Sequence, residues 1–298
     1  MQRSDFIHLV IGSATLVPCF LAILLYAPKV AAPPKTTPDV PPPAETTEPV
    51  ITQLVAADDD DEWGTETTVS TTVTTAVPFY IAYSEEEMKT LKAGEDLYRE
   101  LPDDIIDACF SVEPISDEVY ARMNGATYLS NDKVPISDLS YIRILHYTPD
   151  GQRRIGELIV NKLLADEMKE IMRALYDAKY PIERMVLADN YGGDDTLAQA
   201  DNNSYAFNFR GSAGKETVTA QGLGRSIVIN PVYNPYVEEG GANISPKKGL
   251  AYANREETGS MMIDENDLCY QVFTAHGYSW GGNWGATKNY MYFEKRAT

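Results

Sequence analysis

Residues 219–237 read TAQGLGRSIVINPVYNPYV, and the reading of the fold starts there. Gly222 and Gly224 mark a loop. The β-branched run that follows, Ile227-Val228-Ile229, has the composition of a short strand. Side chains on a strand alternate between faces, so Ser226, Val228 and Asn230 are predicted on one face and Ile227 and Ile229 on the other.

Working outward, the same logic yields a mixture of helices and strands. Ser84 is a helix cap followed by Glu85, Glu86 and Glu87, and Met88, Leu91 and Leu97 line one face, which predicts a helix over residues 84–101 with Gly94 as its weak point. Ser116 opens a second short helix. Residues 141–147 and 154–160 alternate as strands around the turn Pro149-Asp150-Gly151. Residues 161–179 carry the clearest helical stripe, Leu164, Met168, Ile171, Met172 and Leu175, ended by Tyr180-Pro181. Residues 184–187 and 289–295 read as further strands, and residues 264–275 as a helix that Gly277 ends. Strands and helices without regular alternation predict an α+β fold, a small mixed domain with a central antiparallel sheet flanked by helices.

The N-terminal part differs in character. Residues 6–27 are apolar and long enough to span a bilayer, and they follow Arg3. They fit either a cleaved signal peptide or an uncleaved signal anchor, and their length favours the anchor. Residues 32–77 are rich in Pro, Thr and acidic residues, including the run Asp58 to Asp61, and are expected to form an unfolded spacer. The expected organisation is therefore a membrane or signal segment over 1–31, a disordered linker over 32–77 and a folded domain over 78–298. The net charge of −19 argues against a nucleic-acid partner. Cys19 lies in the apolar run, so of the three cysteines only Cys109 and Cys269 are candidates for a bridge.

Several blocks in order resemble one family. These are Tyr180-Pro181-Ile182; Asp201-Asn202-Asn203-Ser204 with Ala206-Phe207-Asn208 and Arg210; Ile229-Asn230-Pro231; Tyr233-Asn234-Pro235-Tyr236; Trp280-Gly281-Gly282-Asn283-Trp284; and Tyr290-Met291-Tyr292-Phe293-Glu294. Together, over residues 110–295, they resemble the VanY-type D-alanyl-D-alanine carboxypeptidases, zinc peptidases of the bacterial cell wall. That family reads Asn-Asn-Thr-Ser-Ala-Phe-Asn-x-Arg in the second block, and Ser-x-His, six residues, Asp and Ile-Asn-Pro through the central segment.

The resemblance implies a zinc site held by two His and one Asp, with an acidic general base three residues before the last His. Here those ligand positions are Gln221, Val228 and Tyr292, and the base position is Asn289. The expected metal site is therefore degenerate. No cofactor is expected, although an active relative would carry zinc. The resemblance further implies that Arg210 grips a substrate carboxylate, with Asn208, Tyr236, Trp280 and Trp284 around it. Two functions follow as expectations. One is an extracytoplasmic peptidase-like domain, membrane-anchored or secreted, that has lost hydrolysis and binds peptidoglycan stem peptide or a cell-wall protein. The alternative is an active D-alanyl-D-alanine-type carboxypeptidase working through an unrecognised site. Asp194, Asp195 and Asp201 form an acidic loop that reads as solvated rather than as a cation site.

Overall fold

The computed structural model describes residues 82–209, 218–256 and 259–296, all within the compact unit Val73–Thr298. The apolar run 6–27, the linker 32–77 and Arg210 lie outside the described residues. Among the described residues no helix is long and apolar enough to cross a membrane.

In chain order the described elements are α1 (Glu85–Thr90), β1 (Asp96–Leu97), α2 (Asp103–Ala108), β2 (Ser111–Pro114), α3 (Asp117–Met123), β3 (Leu139–Tyr147), β4 (Arg153–Asn161), α4 (Ala165–Asp177), α5 (Asp195–Ala200), β5 (Ser226–Val228), β6 (Tyr236–Val237), β7 (Ile244–Ser245), α6 (Leu268–Ala275), β8 (Ser279–Trp280), β9 (Lys288–Asn289) and β10 (Tyr292–Glu294). They build three antiparallel sheets with strand orders β1-β4-β3-β2, β5-β10-β8 and β7-β6-β9. The architecture is a mix of helices and antiparallel sheets, as the sequence pattern predicts, with the strands divided among three sheets.

The long hairpin β3–β4 is the base of the domain. Ile142, Ile144, Leu158 and Val160 are buried together with Met168, Ile171, Met172 and Leu175 of α4. Each of these side chains contributes roughly 1.5–3 kcal/mol by leaving water. The same cluster takes in Ile227 of β5, Phe273 of α6 and Phe293 of β10, so α4 is part of one core with the segment 219–237. The Phe273 and Phe293 rings stack with centroids 4.5 Å apart. A second cluster gathers Leu139 and Ile159 of the hairpin with Val119 and Met123 of α3 and with Leu187, Phe207 and Phe209.

Local chemistry corrects several boundaries. The helix expected over 84–101 stops at Thr90: the capping box of Ser84 and Glu87 forms, but Gly94 adopts a φ of 91° and its N–H bonds the Ile155 carbonyl of β4. The chain then pairs as β1 beside β4. Residues 184–187 are not a strand of a sheet. They run past Glu157, whose N–H donates to the Met185 carbonyl and whose carboxylate accepts from the Leu187 N–H. Residues 289–295 split, because Asn289 pairs with Tyr236 whereas Tyr292 pairs with Val228. Asn230 does not continue the alternation of β5, having turned into left-handed backbone with a φ of 43°. Cys109 and Cys269 are both buried and unbridged.

Asp267 caps α6, accepting from the Cys269 N–H at 2.9 Å and from the Tyr180 hydroxyl at 3.1 Å. Burial outweighs these bonds and raises its pKa from 3.8 to about 6. The native state therefore holds this proton more tightly than the unfolded chain. The contribution to stability is complete below about pH 4 and lost as pH rises through 6. Asp267→Asn keeps an oxygen for both donors but does not titrate. Between pH 4 and 7 the unsubstituted protein is expected to lose on the order of 1–3 kcal/mol relative to this variant in urea denaturation. Parallel pH profiles would contradict the assignment.

Candidate functional site

The loop before β5 is shaped by close approach. A side chain at Gly224 would meet the Asn161 amide nitrogen at 2.5 Å, and φ there is 66°. The contact is a bonded one, since the Asn161 N–H donates to the Gly224 carbonyl and its side-chain amide to the Leu223 carbonyl. This fixes where Gln221 and β5 begin relative to the hairpin.

Buried asparagines hold the segments around β5. The Asn230 side chain accepts from the Glu183 N–H and donates to the Pro181 carbonyl. Asn203 bonds both the N–H and the carbonyl of Val186. Asn202 accepts from the Val232 N–H. Asn234 accepts from the Ile263 N–H at 2.7 Å and donates to the Met261 carbonyl at 2.8 Å. Each satisfies backbone groups that burial would otherwise leave unpaired. Asn234→Ala is expected to cost about 2 kcal/mol or more in chemical denaturation; a neutral change would contradict this role.

Across the middle of the site runs a row of three residues. Tyr205 and Val228 exchange both backbone hydrogen bonds, at 3.1 and 2.8 Å. Val228 is also directly opposite Tyr292. Directly opposed residues in antiparallel pairs share a face, so all three side chains lie side by side. They belong to one apolar cluster with Ala188, Ala198 and Met291, against which Tyr191 and Tyr236 also pack. The Tyr205 hydroxyl accepts from Gln199 at 3.2 Å, and Gln221 lies beside it with its Nε2 buried and unpartnered. The structure thus brings Gln221, Val228 and Tyr292 around one residue, Tyr205, that is 1% exposed. Asn289 lies three positions before Tyr292, on β9. It is paired to Tyr236, and its Oδ1 is buried without a partner.

Tyr205 was missed by the sequence reading. The signal was present: in the family's Asn-Asn-Thr-Ser-Ala-Phe-Asn-x-Arg block the position before Ala206 is Ser, and here it is a large ring.

The other predicted residues are placed as follows. Asn208 is buried and donates to the Gly193 carbonyl and to Asp195, with its Oδ1 unpartnered. Tyr236 is half-buried beside the row. Trp284 is 37% exposed and meets the Tyr292 ring edge-on at 5.7 Å. Trp280 is buried in the core, its ring near Phe293 and Tyr270 and its N–H on the Tyr290 carbonyl. In the acidic loop Asp194 caps α5, and Asp201 accepts from Tyr191 and pairs with Arg184. His146 is buried against the Ile182 carbonyl, and burial lowers its pKa to about 4, so it is neutral at pH 7.

The donor chemistry does not fit zinc. Catalytic zinc takes three His or carboxylate ligands and keeps one open position. Val228 has no lone pair, and Gln221 offers a neutral amide. The Tyr292 phenol is pushed up to about 12 by burial, with Glu294 adding to the rise, so its phenolate is scarce at neutral pH. Among the described residues no group of three or more His, Cys, Asp and Glu is placed to hold a metal ion.

Comparison with known proteins gives one match. Residues 214–295 match the family model described as D-alanyl-D-alanine carboxypeptidase. This supports a relation to that peptidase family over the C-terminal segment, which includes Gln221, β5, β9 and β10; residues 110–213 lie outside the match. No curated protein and no solved structure matches the chain.

Gln221→His, Val228→Asp, Asn289→Asp and Tyr292→His together rebuild a His/Asp/His set with an acid, but leave Tyr205 in the row. Adding Tyr205→Ser is expected to tighten zinc binding at least tenfold over the fourfold variant, measured by competition with a chromophoric chelator on variants shown to be folded. Equal affinities would show that the Tyr205 ring beside Val228 does not hinder metal binding there.

Proposed function

We propose that this is a cell-wall peptidase-like domain, held outside the membrane by its N-terminal segment, that binds wall peptide without cleaving it. The match to the carboxypeptidase family supports the peptidase-like part. The observation that carries the loss of hydrolysis is the set Gln221, Val228 and Tyr292, in which an amide, an aliphatic and a phenol stand at the positions the resemblance assigns to metal donors, with Tyr205 packed beside Val228. With no ligand set to acidify water and Asn289 unable to take a proton at neutral pH, neither metal-bound hydroxide nor general-base assistance is available from these positions.

Retained binding is supported by the exposed Trp284 against Tyr292 and the half-buried Tyr236, which offer apolar surface beside the row. Arg210 is the proposed carboxylate partner, since a guanidinium grips a carboxylate with two parallel hydrogen bonds. The full chain in neutral detergent is expected to co-sediment with purified peptidoglycan, to lose much of that binding with Trp284→Ala, and to release no D-alanine from stem pentapeptide with zinc present. Failure to sediment would remove the binding role, and zinc-dependent release of D-alanine would remove the claim of inactivity.

A further inference from the structure

A cavity of about 710 Å³ lies away from the row, and none of Gln221, Val228, Asn289 or Tyr292 lines it. Its floor is the outer face of the β3–β4 hairpin, where Tyr141 and Arg143 stand two residues apart on β3. One wall is the C-terminal end of α1 and the turn after it. The other is the end of β2 and the start of α3.

The floor is locked by internal bonds. Arg143 donates to the carbonyls of Met88 and Leu91, which pins the end of α1 over β3. Glu157 is buried and accepts from Arg122 at 2.9 and 2.6 Å and from the Tyr141 hydroxyl at 3.0 Å. Arg122 also meets Asp189 at 3.2 Å. The carboxylate of Glu157 is therefore matched from within and is not left to neutralise a ligand.

The charges left to face a ligand are sorted by wall. On the α1 side is the exposed Lys92, with Lys89 held by Glu85 and Glu86 and Arg143 held by the Met88 and Leu91 carbonyls. On the β2–α3 side are the exposed Glu118 and Glu113, the latter also accepting from the Ser111 hydroxyl. A cavity with a cation on one wall and carboxylates on the other complements a molecule carrying both charges at a separation. Its volume lies within the range of small-ligand sites and exceeds what one amino acid needs. We propose that this cavity binds a short peptide with both ends free, its carboxylate toward Lys92 and its ammonium toward Glu113 and Glu118. This goes beyond the reading of the degenerate site and does not depend on it.

Isothermal titration of the full chain in neutral detergent tests it, with tetra-alanine and its N-acetylated and C-amidated forms as probes. The free peptide is expected to bind, and each cap to weaken binding about tenfold, the scale of one charge-assisted hydrogen bond. Lys92→Glu is expected to weaken the free peptide and abolish the effect of amidation. Glu118→Lys is expected to do the same for acetylation. Both are exposed positions whose exchange leaves the core intact. No binding of the free peptide, equal affinity of the capped forms, or indifference to both exchanges would overturn the proposal. So would loss of binding in Trp284→Ala with Lys92→Glu unaffected, which would place the peptide at the carboxypeptidase-like site.

Discussion

The register of β5 between Tyr205 and β10 is the constraint on which the rest depends. Once Val228 exchanges hydrogen bonds with Tyr205 and lies opposite Tyr292, the three side chains must share a face. A one-residue slip would exchange the two faces, turning Val228 into the main core and expelling Ile227, which is fully buried there with Phe273 and Phe293. The packing on one face of β5 thereby fixes what the other face presents.

The asparagines make that register durable. Asn203, Asn230 and Asn234 are fully buried and bond backbone groups of neighbouring segments. Each amide satisfies backbone groups that burial would otherwise leave unpaired. Ile229-Asn230-Pro231 and Tyr233-Asn234-Pro235-Tyr236 therefore hold the segment through their own side chains.

Much of the architecture was legible because it rests on local chemistry. Ser84 and Ser116 cap the helices they precede, whereas the helix expected from residue 264 begins only at Leu268, where Asp267 caps it. The alternation of β3 and β4 and the stripe on α4 follow from burial of one face. What could not be read depends on distant partners. Gly94 ends a helix by bonding β4, which no local pattern contains. The break between β9 and β10 exists because Tyr236 and Val228 compete for successive residues of one segment. The resemblance assigns Gln221, Val228 and Tyr292 by spacing, whereas nothing local marks Tyr205, whose importance comes from its pairing with Val228. The charged cavity between α1 and α3 was equally hidden, because Lys92, Glu113 and Arg143 are brought together only by the fold.

We propose that Gln221, Val228 and Tyr292 cannot hold a catalytic zinc, for want of His or carboxylate donors. Diffraction from crystals of this protein grown with excess zinc, recorded at the zinc absorption edge, tests it most directly. The expected map shows no anomalous peak between Gln221, Val228 and Tyr292 and an intact Tyr205 ring in the row. A strong peak coordinated by any of those side chains would contradict it.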